Sequence, residues 1–449
     1  MKKQNLRYMK WIGKMIVLLF IFNFQFSIFD CSAQRVSLDE CLEKALESNF
    51  SIKIIRNEAR MDKNNLNYST FLPTLEGTAK QTQTRNDTKT ENSAGEVNKM
   101  SDVKTDNYTA GVALNWRIFD GLEMFTTHEK QKELLAMGEL AVQQAVENLI
   151  LNVSAAYYNV LVQHHKLMAA RHSLELSNER YDEARVRYKI GNRSGLEAQQ
   201  AKIDLNTDSS TYVRQKEALK SAYITLNKLM NTDLQMVNYV QDTILLGPQL
   251  VLGTLEQKTL AGNTTLLIAK KDQKISALDL KNARAVLFPT LDFNSGYNYN
   301  KTDTPSSSTT LNRSNGFYWG FSLNVPIFSR LQNRTKIKNA KLELENTELS
   351  YQEAEKETLG DLALMYNSYE NNLLMVNFEI ESASVAEANL DAALEKYKIG
   401  SLSGIEFREF QRSYIDAVDR KLSAIYQAKV SELSLLLLSG DIRGSFVSE

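Results

Sequence analysis

The chain has 449 residues, with 53 basic and 54 acidic side chains and a formal charge of −1. That balance leaves no basic excess to neutralise phosphates, which argues against a nucleic-acid partner. The two cysteines are Cys31 and Cys41; if a leader carrying the first is removed, no internal disulfide remains and packing must hold the fold.

In chain order, the first element reads as a secretory signal over residues 1–33. Lys2, Lys3, Arg7, Lys10 and Lys14 form a basic region, and residues 15–29 are apolar apart from Asn23, Gln25 and Ser27. Cys31, Ser32 and Ala33 then offer small residues to a signal peptidase, with the mature chain starting at Gln34. A transmembrane anchor is the alternative, but the run is short for spanning. Lipid attachment at Cys31 is another, which Asp30 fits poorly. Beyond residue 33 no apolar run approaches the roughly 18 residues of a membrane helix. If the mature chain crosses a bilayer, it must do so as a closed barrel.

Next come period-two stretches. Tyr108, Ala110, Val112, Leu114 and Trp116 alternate with Thr109, Gly111, Ala113 and Asn115. Leu291, Phe293, Ser295, Tyr297 and Tyr299 alternate with Asp292, Asn294, Gly296, Asn298 and Asn300, and Phe317, Trp319, Phe321, Leu323 and Val325 with Tyr318, Gly320, Ser322 and Asn324. Each predicts a strand with one apolar and one small or polar face. A weaker partner lies at 74–84, and polar loops are expected over 85–106 and 301–315. The chain thus supplies two β-hairpins, at about 74–119 and 290–328.

The five prolines, at 73, 248, 289, 305 and 326, leave 122–247 and 327–449 free of them. These tracts, rich in Ala, Leu, Glu, Gln and Lys, predict long helices. In the second, Leu359, Leu362, Tyr366, Tyr369, Leu373, Val376, Ile380, Ala383, Glu387, Leu390, Leu394 and Tyr397 alternate steps of three and four, a heptad seam. Moving back 209 residues gives a leakier copy: Ile150, Val153, Tyr157, Val160, His164, Leu167, Arg171, Leu174, Asn178, Tyr181, Arg185 and Tyr188. A helix over 122–189 would be about 100 Å long. Each helix stops at a Tyr-Lys-Ile-Gly, at Gly191 and Gly400, and a second helix follows, so helical hairpins are expected at about 122–230 and 330–438.

The whole pattern occurs twice. Tyr188-Lys-Ile-Gly191 returns as Tyr397-Lys-Ile-Gly400, and the same offset of 209 carries Gly111 onto Gly320 and Ile118-Phe119 onto Ile327-Phe328. Leu72-Pro-Thr-Leu75 returns as Phe288-Pro-Thr-Leu291, 216 residues on. This is a duplicated half-molecule, dividing the mature chain into repeats at 34–247 and 248–449; a solenoid would have much shorter units. Four strands cannot close a membrane barrel, the smallest of which have about eight. Several copies must then contribute, with aromatic residues outward to lipid and Asn, Ser, Gly and Asp inward to a wet lumen. The alternative is a small sheet packed on the helices.

The order helix, strand pair, long helical hairpin, all twice, with Tyr-x-x-Gly tips followed by acidic Glu197 and Glu406, resembles the TolC-type outer-membrane efflux and secretion channels over essentially the whole mature chain. The resemblance implies a mainly α fold with a β-barrel part: a homotrimer whose 12-strand barrel in outer-membrane lipid sits over a 12-helix periplasmic tube in a Gram-negative cell. It also implies docking of the hairpin tips to a periplasmic adaptor (membrane fusion) protein, which links the channel to an inner-membrane pump of the RND or ABC type. Carried over residue by residue, the acidic gate positions are Glu406 and Glu409, where the family usually has aspartate. Three apart, they share a helix face and would give a trimer six carboxylates, a ring that favours cations. The otherwise plain reading is two solvated glutamates. The first-repeat equivalents, Glu197 and Gln200, carry less charge. The adaptor-docking surface falls on Gly191, Asn192, Arg193, Ser194, Gly195 and Leu196, with Gly400, Ser401, Leu402, Ser403, Gly404 and Ile405, where small residues allow close approach and turn chemistry explains the two stop glycines.

No catalytic or cofactor constellation is found: there is no phosphate-binding glycine loop, no Gly-x-Ser-x-Gly and no paired cysteines. His128, His164, His165 and His172 lie on one predicted helix without a convincing metal-ligand spacing. Three functions are left to weigh. An exit duct for efflux or type I secretion accounts for every feature. A non-conducting envelope coiled-coil protein accounts for the helices alone, and an envelope hydrolase lacks its constellation.

Overall fold

The computed structural model describes residues 36–190, 195–237, 243–305 and 310–444. The expected signal segment, with Cys31, and the tip residues Gly191, Asn192, Arg193 and Ser194 lie outside these. In chain order the elements are α1 (Leu38–Ser48), α2 (Phe50–Asn65), β1 (Thr74–Glu91), β2 (Val97–Phe119), α3 (Glu123–Lys189), α4 (Gly195–Met230), α5 (Leu252–Gly262), α6 (Thr264–Ala285), β3 (Thr290–Asp303), β4 (Leu311–Asn324), α7 (Gln332–Lys398) and α8 (Gly404–Leu438). Helices, strand pair and helical hairpin therefore occur twice in the same order. None of the helices is long and apolar enough to cross a membrane.

The chain forms two compact units, each drawing on both halves of the sequence. Among the described residues, one takes 36–49, Leu149–Pro248 and Ser368–Glu432; the other takes Phe50–Asn148, Gln249–Asn367 and 433–444.

The second unit holds one antiparallel sheet in the order β1-β2-β3-β4. Its register joins the three alternations read from the sequence, because directly paired residues share a face. Val112 pairs Tyr297, which pairs Phe317; Trp116 pairs Phe293, which pairs Phe321. On the other face Gly111 pairs Asn298, which pairs Gly316, and Asn115 pairs Asn294, which pairs Gly320. Trp319, Phe317 and Phe321 are exposed, so the sheet does not lay its aromatic face on the helices as a globular sheet would. Glycine is required where the rows crowd. A Cβ on Gly296 would lie 2.6 Å from the Val112 carbonyl oxygen and 2.7 Å from the Tyr318 hydroxyl.

The strands reach further than expected. The segment 85–106, expected as a loop, is largely ladder: Arg85 pairs Lys104 and Glu91 pairs Val97, with a register shift between Asn86 and Thr88. At that irregularity Asp102 has φ +54° and its N–H donates to Asp87 Oδ1 at 2.8 Å. Likewise β3 and β4 shorten the expected loop at 301–315 to the residues between Asp303 and Leu311. These threonine-rich stretches are mainly polar in both rows, so no apolar face marks them in sequence.

The first unit is built on helix packing. In α7 one row of the expected seam, every seventh residue from Leu362 to Tyr397 (Leu362, Tyr369, Val376, Ala383, Leu390, Tyr397), is buried; in the other row Leu359, Tyr366, Leu373 and Leu394 are half-buried and Ile380 and Glu387 are exposed. Alanines set the close approach: Ala383 and Ala386 meet Ala417, and Val376 meets Ala424 and Ala428. In α3 the seam departs from the sequence reading. Val153, Tyr157 and Val160 are buried as expected. Toward the tip, however, Arg171, Asn178 and Arg185 are exposed, and Ala170, Ser173, Ser177, Arg180 and Ala184 are buried instead. The stripe has slipped by one residue toward the N-terminus, opposite to the drift of a straight helix of 3.6 residues per turn against a seven-residue repeat, so packing against the neighbours sets it here.

Replacing Gly296 with valine is expected to cost about 1–3 kcal/mol through overpacking. Valine at Gly316, where a Cβ meets nothing within 4 Å, is expected to be tolerated. Electrophoresis of unboiled protein, which reports the folded sheet, should separate the two.

Candidate functional site

The second tip is set by backbone chemistry. Gly400 takes φ +77°, its N–H donates to the Tyr397 carbonyl and that of Ser401 to the Lys396 carbonyl, both at 3.0 Å. This paired stop satisfies the last carbonyls of α7. The start of α8 is held by Ser403 and Glu406. The Glu406 N–H donates to Ser403 Oγ at 3.2 Å, and the Ser403 N–H to Glu406 Oε2 at 2.9 Å. The pair is a capping box. Glu406 is held below the ordinary glutamate range by the Ser403 backbone N–H first and the Ser403 hydroxyl second. The carboxylate assigned to the gate thus also caps its own helix. Glu409 is exposed, with Arg412 at 3.8 Å.

Of the docking residues, Leu196 and Ile405 are exposed, 72% and 71% respectively, while Leu402 turns inward against Tyr397 and Phe407. Leu196, Ser403, Gly404 and Ile405 come together with Arg180, Glu197 and Tyr397 around a cavity of about 340 Å³. Gly195 starts α4 against the Tyr188 ring. The Tyr397 ring stacks on Phe407 at 5.3 Å, and Arg187 lies over its other neighbourhood, 5.4 Å from the ring centre. Burial, then the nearby Glu183 carboxylate, pushes the Tyr397 phenol up, so it stays protonated.

Behind the tip lies a buried polar cluster that the sequence reading missed. Arg408 of α8 grips Asp208 of α4 in two-pronged fashion, at 2.6 and 2.8 Å. Asp208 also accepts from the hydroxyls of Ser173 (3.3 Å) and Ser177. Gln411 donates to the Ser173 carbonyl at 2.8 Å and accepts from Arg408 at 3.1 Å. One step nearer the tip, Arg180 pairs with Asp204 and donates to the Gly404 carbonyl at 3.1 Å. Burial pulls the Arg408 guanidinium down, but the bond to Asp208 and its charge outweigh that and raise it overall. These contacts tie α3 and α4 to α8, binding the two repeats to each other by charge-assisted hydrogen bonds. The signal in the sequence was the run Ser173, Ser177, Arg180, Ala184 at helical steps of four, three and four.

The tips and the two-faced sheet can now be set beside known proteins. The Campylobacter jejuni CmeC outer membrane channel matches with a TM-score of 0.76 at 18% identity, over 90% of this chain and 86% of CmeC. The fold is that of the outer-membrane channels that join a helical barrel to a β-barrel part. The family model described as outer membrane efflux protein matches residues 41–232 and 255–441, and the chain belongs to that family. Among its relatives are the cation efflux system protein CusC of Escherichia coli K12, 23% identical over 335 residues (71% of this chain, 70% of CusC). TolC of the same strain is 20% identical over 343 residues (73% and 68%). The protein is thus an outer-membrane protein with a large helical periplasmic portion, and its relatives are channels, not enzymes.

Two predictions concern the tip. Asp208→Ala or Arg408→Ala leaves a buried charge unpaired and is expected to cost about 3–5 kcal/mol, whereas Asp208→Leu with Arg408→Met together recovers most of the loss. Thermal unfolding checks this. The Glu406 cap, with its carboxyl below the ordinary range, is in force above that range and is lost as pH falls through the lowered value. The protection factors of the amides at 403–407 should fall on acidification, and Glu406→Gln, which removes the titrating group, should abolish that dependence.

Proposed function

We propose that three copies of this chain close one channel through the outer membrane. It serves as the exit duct of a tripartite efflux or type I secretion system, passing small molecules or polypeptides outward. The observation that carries the reading is the four-stranded sheet, with β1 and β4 each paired on one side only and with one aromatic and one glycine- and asparagine-rich face. In hydrocarbon an unpaired edge is untenable, so the sheet needs further strands. Identical hairpins from other copies supply them, giving twelve. On α7, Leu364, Phe378 and Val385 stand at multiples of seven and are exposed within the single chain, a second apolar stripe suited to a neighbouring copy. A non-conducting coiled-coil protein would have no use for the two-faced sheet.

In this reading the two tips, Gly191 to Leu196 and Gly400 to Ile405, receive a periplasmic adaptor, and the adaptor links the duct to an inner-membrane pump. Leu196 and Ile405 supply the apolar contact, and Gly195 and Gly404 the close approach. Glu406 and Glu409 form the acidic ring at the periplasmic end. The exposed Glu409 carries the electrostatic part, while Glu406 divides its charge between the ring and the cap. The division into a signal at 1–33 and repeats at 34–247 and 248–449 belongs to the same proposal.

The test is single-channel conductance of the purified mature protein in a planar bilayer. Wild type is expected to give small, steady, cation-preferring openings that a divalent cation reduces. Glu406→Gln with Glu409→Gln keeps the capping box, since glutamine serves there equally, and is expected to enlarge the openings severalfold and abolish the divalent block. A conducting wild type indifferent to the substitution would sink the gate but keep the duct. No conductance from a reconstituted trimer would return the chain to the structural reading.

A further inference from the structure

The two repeats differ most in charge where each β-hairpin hands over to its long helix. After β4 the chain exposes Ile327 (93%), Phe328 (76%) and Leu331 (61%). Five cations follow or interleave: Arg330, Arg334, Lys336, Lys338 and Lys341, with no acid between Asp303 and Glu343. All five are exposed. Among the described residues none of them makes an ion pair, whereas the first repeat's Lys130 pairs with Asp279 at 2.6 Å and its Glu133 with Lys271 at 2.7 Å. Arg334, Lys338 and Lys341, at steps of four and three, share one face of α7.

The duplication supplies a control within the molecule. Moved back 209 residues, the five positions are Gly121, Phe125, Thr127, Glu129 and Lys132, which carry no net charge. The same element in the same fold does without the cations, so the fold does not demand them. Their place does suggest a use. They begin within a few residues of the exposed apolar end of the last strand, on the side where the helices start. An apolar foot followed by unpaired arginine and lysine is the pattern of a segment seated at a lipid interface, with its cations reaching phosphate.

We propose that this foot of α7 is a binding site for anionic glycerophospholipid headgroups of the leaflet facing the helical end of the barrel. Ile327, Phe328 and Leu331 enter the acyl boundary. Arg330 and Arg334 take the phosphates, arginine's fork matching phosphate in two-pronged fashion, and Lys338 and Lys341 add field from below. The inference rests on the outer-membrane channel reading. In a threefold assembly the site would recur on each copy, giving a collar of cations around the barrel base.

The test reconstitutes the full mature protein in vesicles of phosphatidylcholine, with and without phosphatidylglycerol, and counts retained lipids by native mass spectrometry after gentle extraction. Wild type is expected to retain phosphatidylglycerol over phosphatidylcholine, and Arg330→Gln/Arg334→Gln/Lys338→Gln/Lys341→Gln to lose that preference by roughly tenfold or more, since each charge near an anionic surface contributes severalfold. Raised salt should weaken retention in wild type and leave the variant unchanged. Equal retention by both proteins overturns the proposal. So does a loss of assembly stability in the variant that is the same in both vesicles, which would assign the cations to carboxylates of a neighbouring copy. If the fourfold variant fails to assemble, Arg334→Lys/Lys338→Arg should keep the preference, and Arg330→Gln and Lys341→Gln singly should each reduce it; full retention in the single variants is equally fatal. A wild type that inserts but shows no lipid preference defeats this inference alone, while one that inserts in neither vesicle defeats the channel reading with it.

Discussion

The backbone edges of β1 and β4 constrain everything else in this chain. A strand edge exposes a row of N–H and C=O groups, and in hydrocarbon none of them can turn to water. The described residues form four strands whose order follows the sequence, so the two open edges of the sheet are the first and the last. That arrangement is complementary to itself: β4 of one copy can continue the antiparallel ladder on β1 of the next. The side-chain rows then follow from register. Because paired residues share a face, one set of hydrogen bonds sorts Val112, Tyr297 and Phe317 from Gly111, Asn298 and Gly316. A slip of one residue would exchange the faces and bring tyrosine and phenylalanine to the glycine side. Gly296, with no room for a side chain beneath Tyr318, helps exclude that slip.

The helical unit solves a different problem, which is to keep long helices in register with few large side chains. The exact sevenfold spacing of Leu362 through Tyr397 does so for α7. In α3 the seam drifts, and the positions that come to face the neighbours near the tip are serine and arginine. Burying an arginine and an aspartate costs several kcal/mol of hydration, so a packed apolar core would be the more stable choice. The Arg408–Asp208 pair has a geometric specificity that leucine lacks. Its two bonds fix α4 against α8 in one axial register, and Ser177 and Gln411 satisfy what remains. The cluster trades stability for a defined placement of the tips.

Much of this was legible in the sequence, and the misses have physical causes. Helix limits were readable to within a residue or two because proline and glycine act locally. Strand faces were readable where one face was apolar. The ladder through 85–106 was not, because Thr84, Asn86 and Thr88 and the intervening Arg85, Asp87 and Lys89 are all polar, which leaves no apolar row to mark a strand. The acidic position Glu406 was visible, but its local partner Ser403, three residues earlier, was overlooked although the spacing is that of a capping box. Asp208 and Arg408 stand 200 residues apart. Nothing in a single sequence announces such a pair, and it becomes visible only when the helices are laid together.

A duplicated chain offers its own means of separating what the fold needs from what the protein uses. Residues that recur at the offset of 209, such as the tyrosine and glycine of the two tips, serve the common architecture, because both copies must turn there. Residues that occur in one copy only are free of that demand. The acidic pair Glu406 and Glu409 faces Glu197 and Gln200 in the other repeat. The buried Ser173 and Ser177 have Ser382 and Ala386 as counterparts, and the five cations at the foot of α7 have a neutral set. All three asymmetries lie outside the shared turns: in the first turns of α8, between the repeats, and where sheet meets helix. An ancestral assembly of identical halves would present each of these features twice per copy or not at all. Glu409, Ser177 and the five cations are confined to one repeat in this way, so the halves have diverged at these places while the backbone that both inherited has stayed the same.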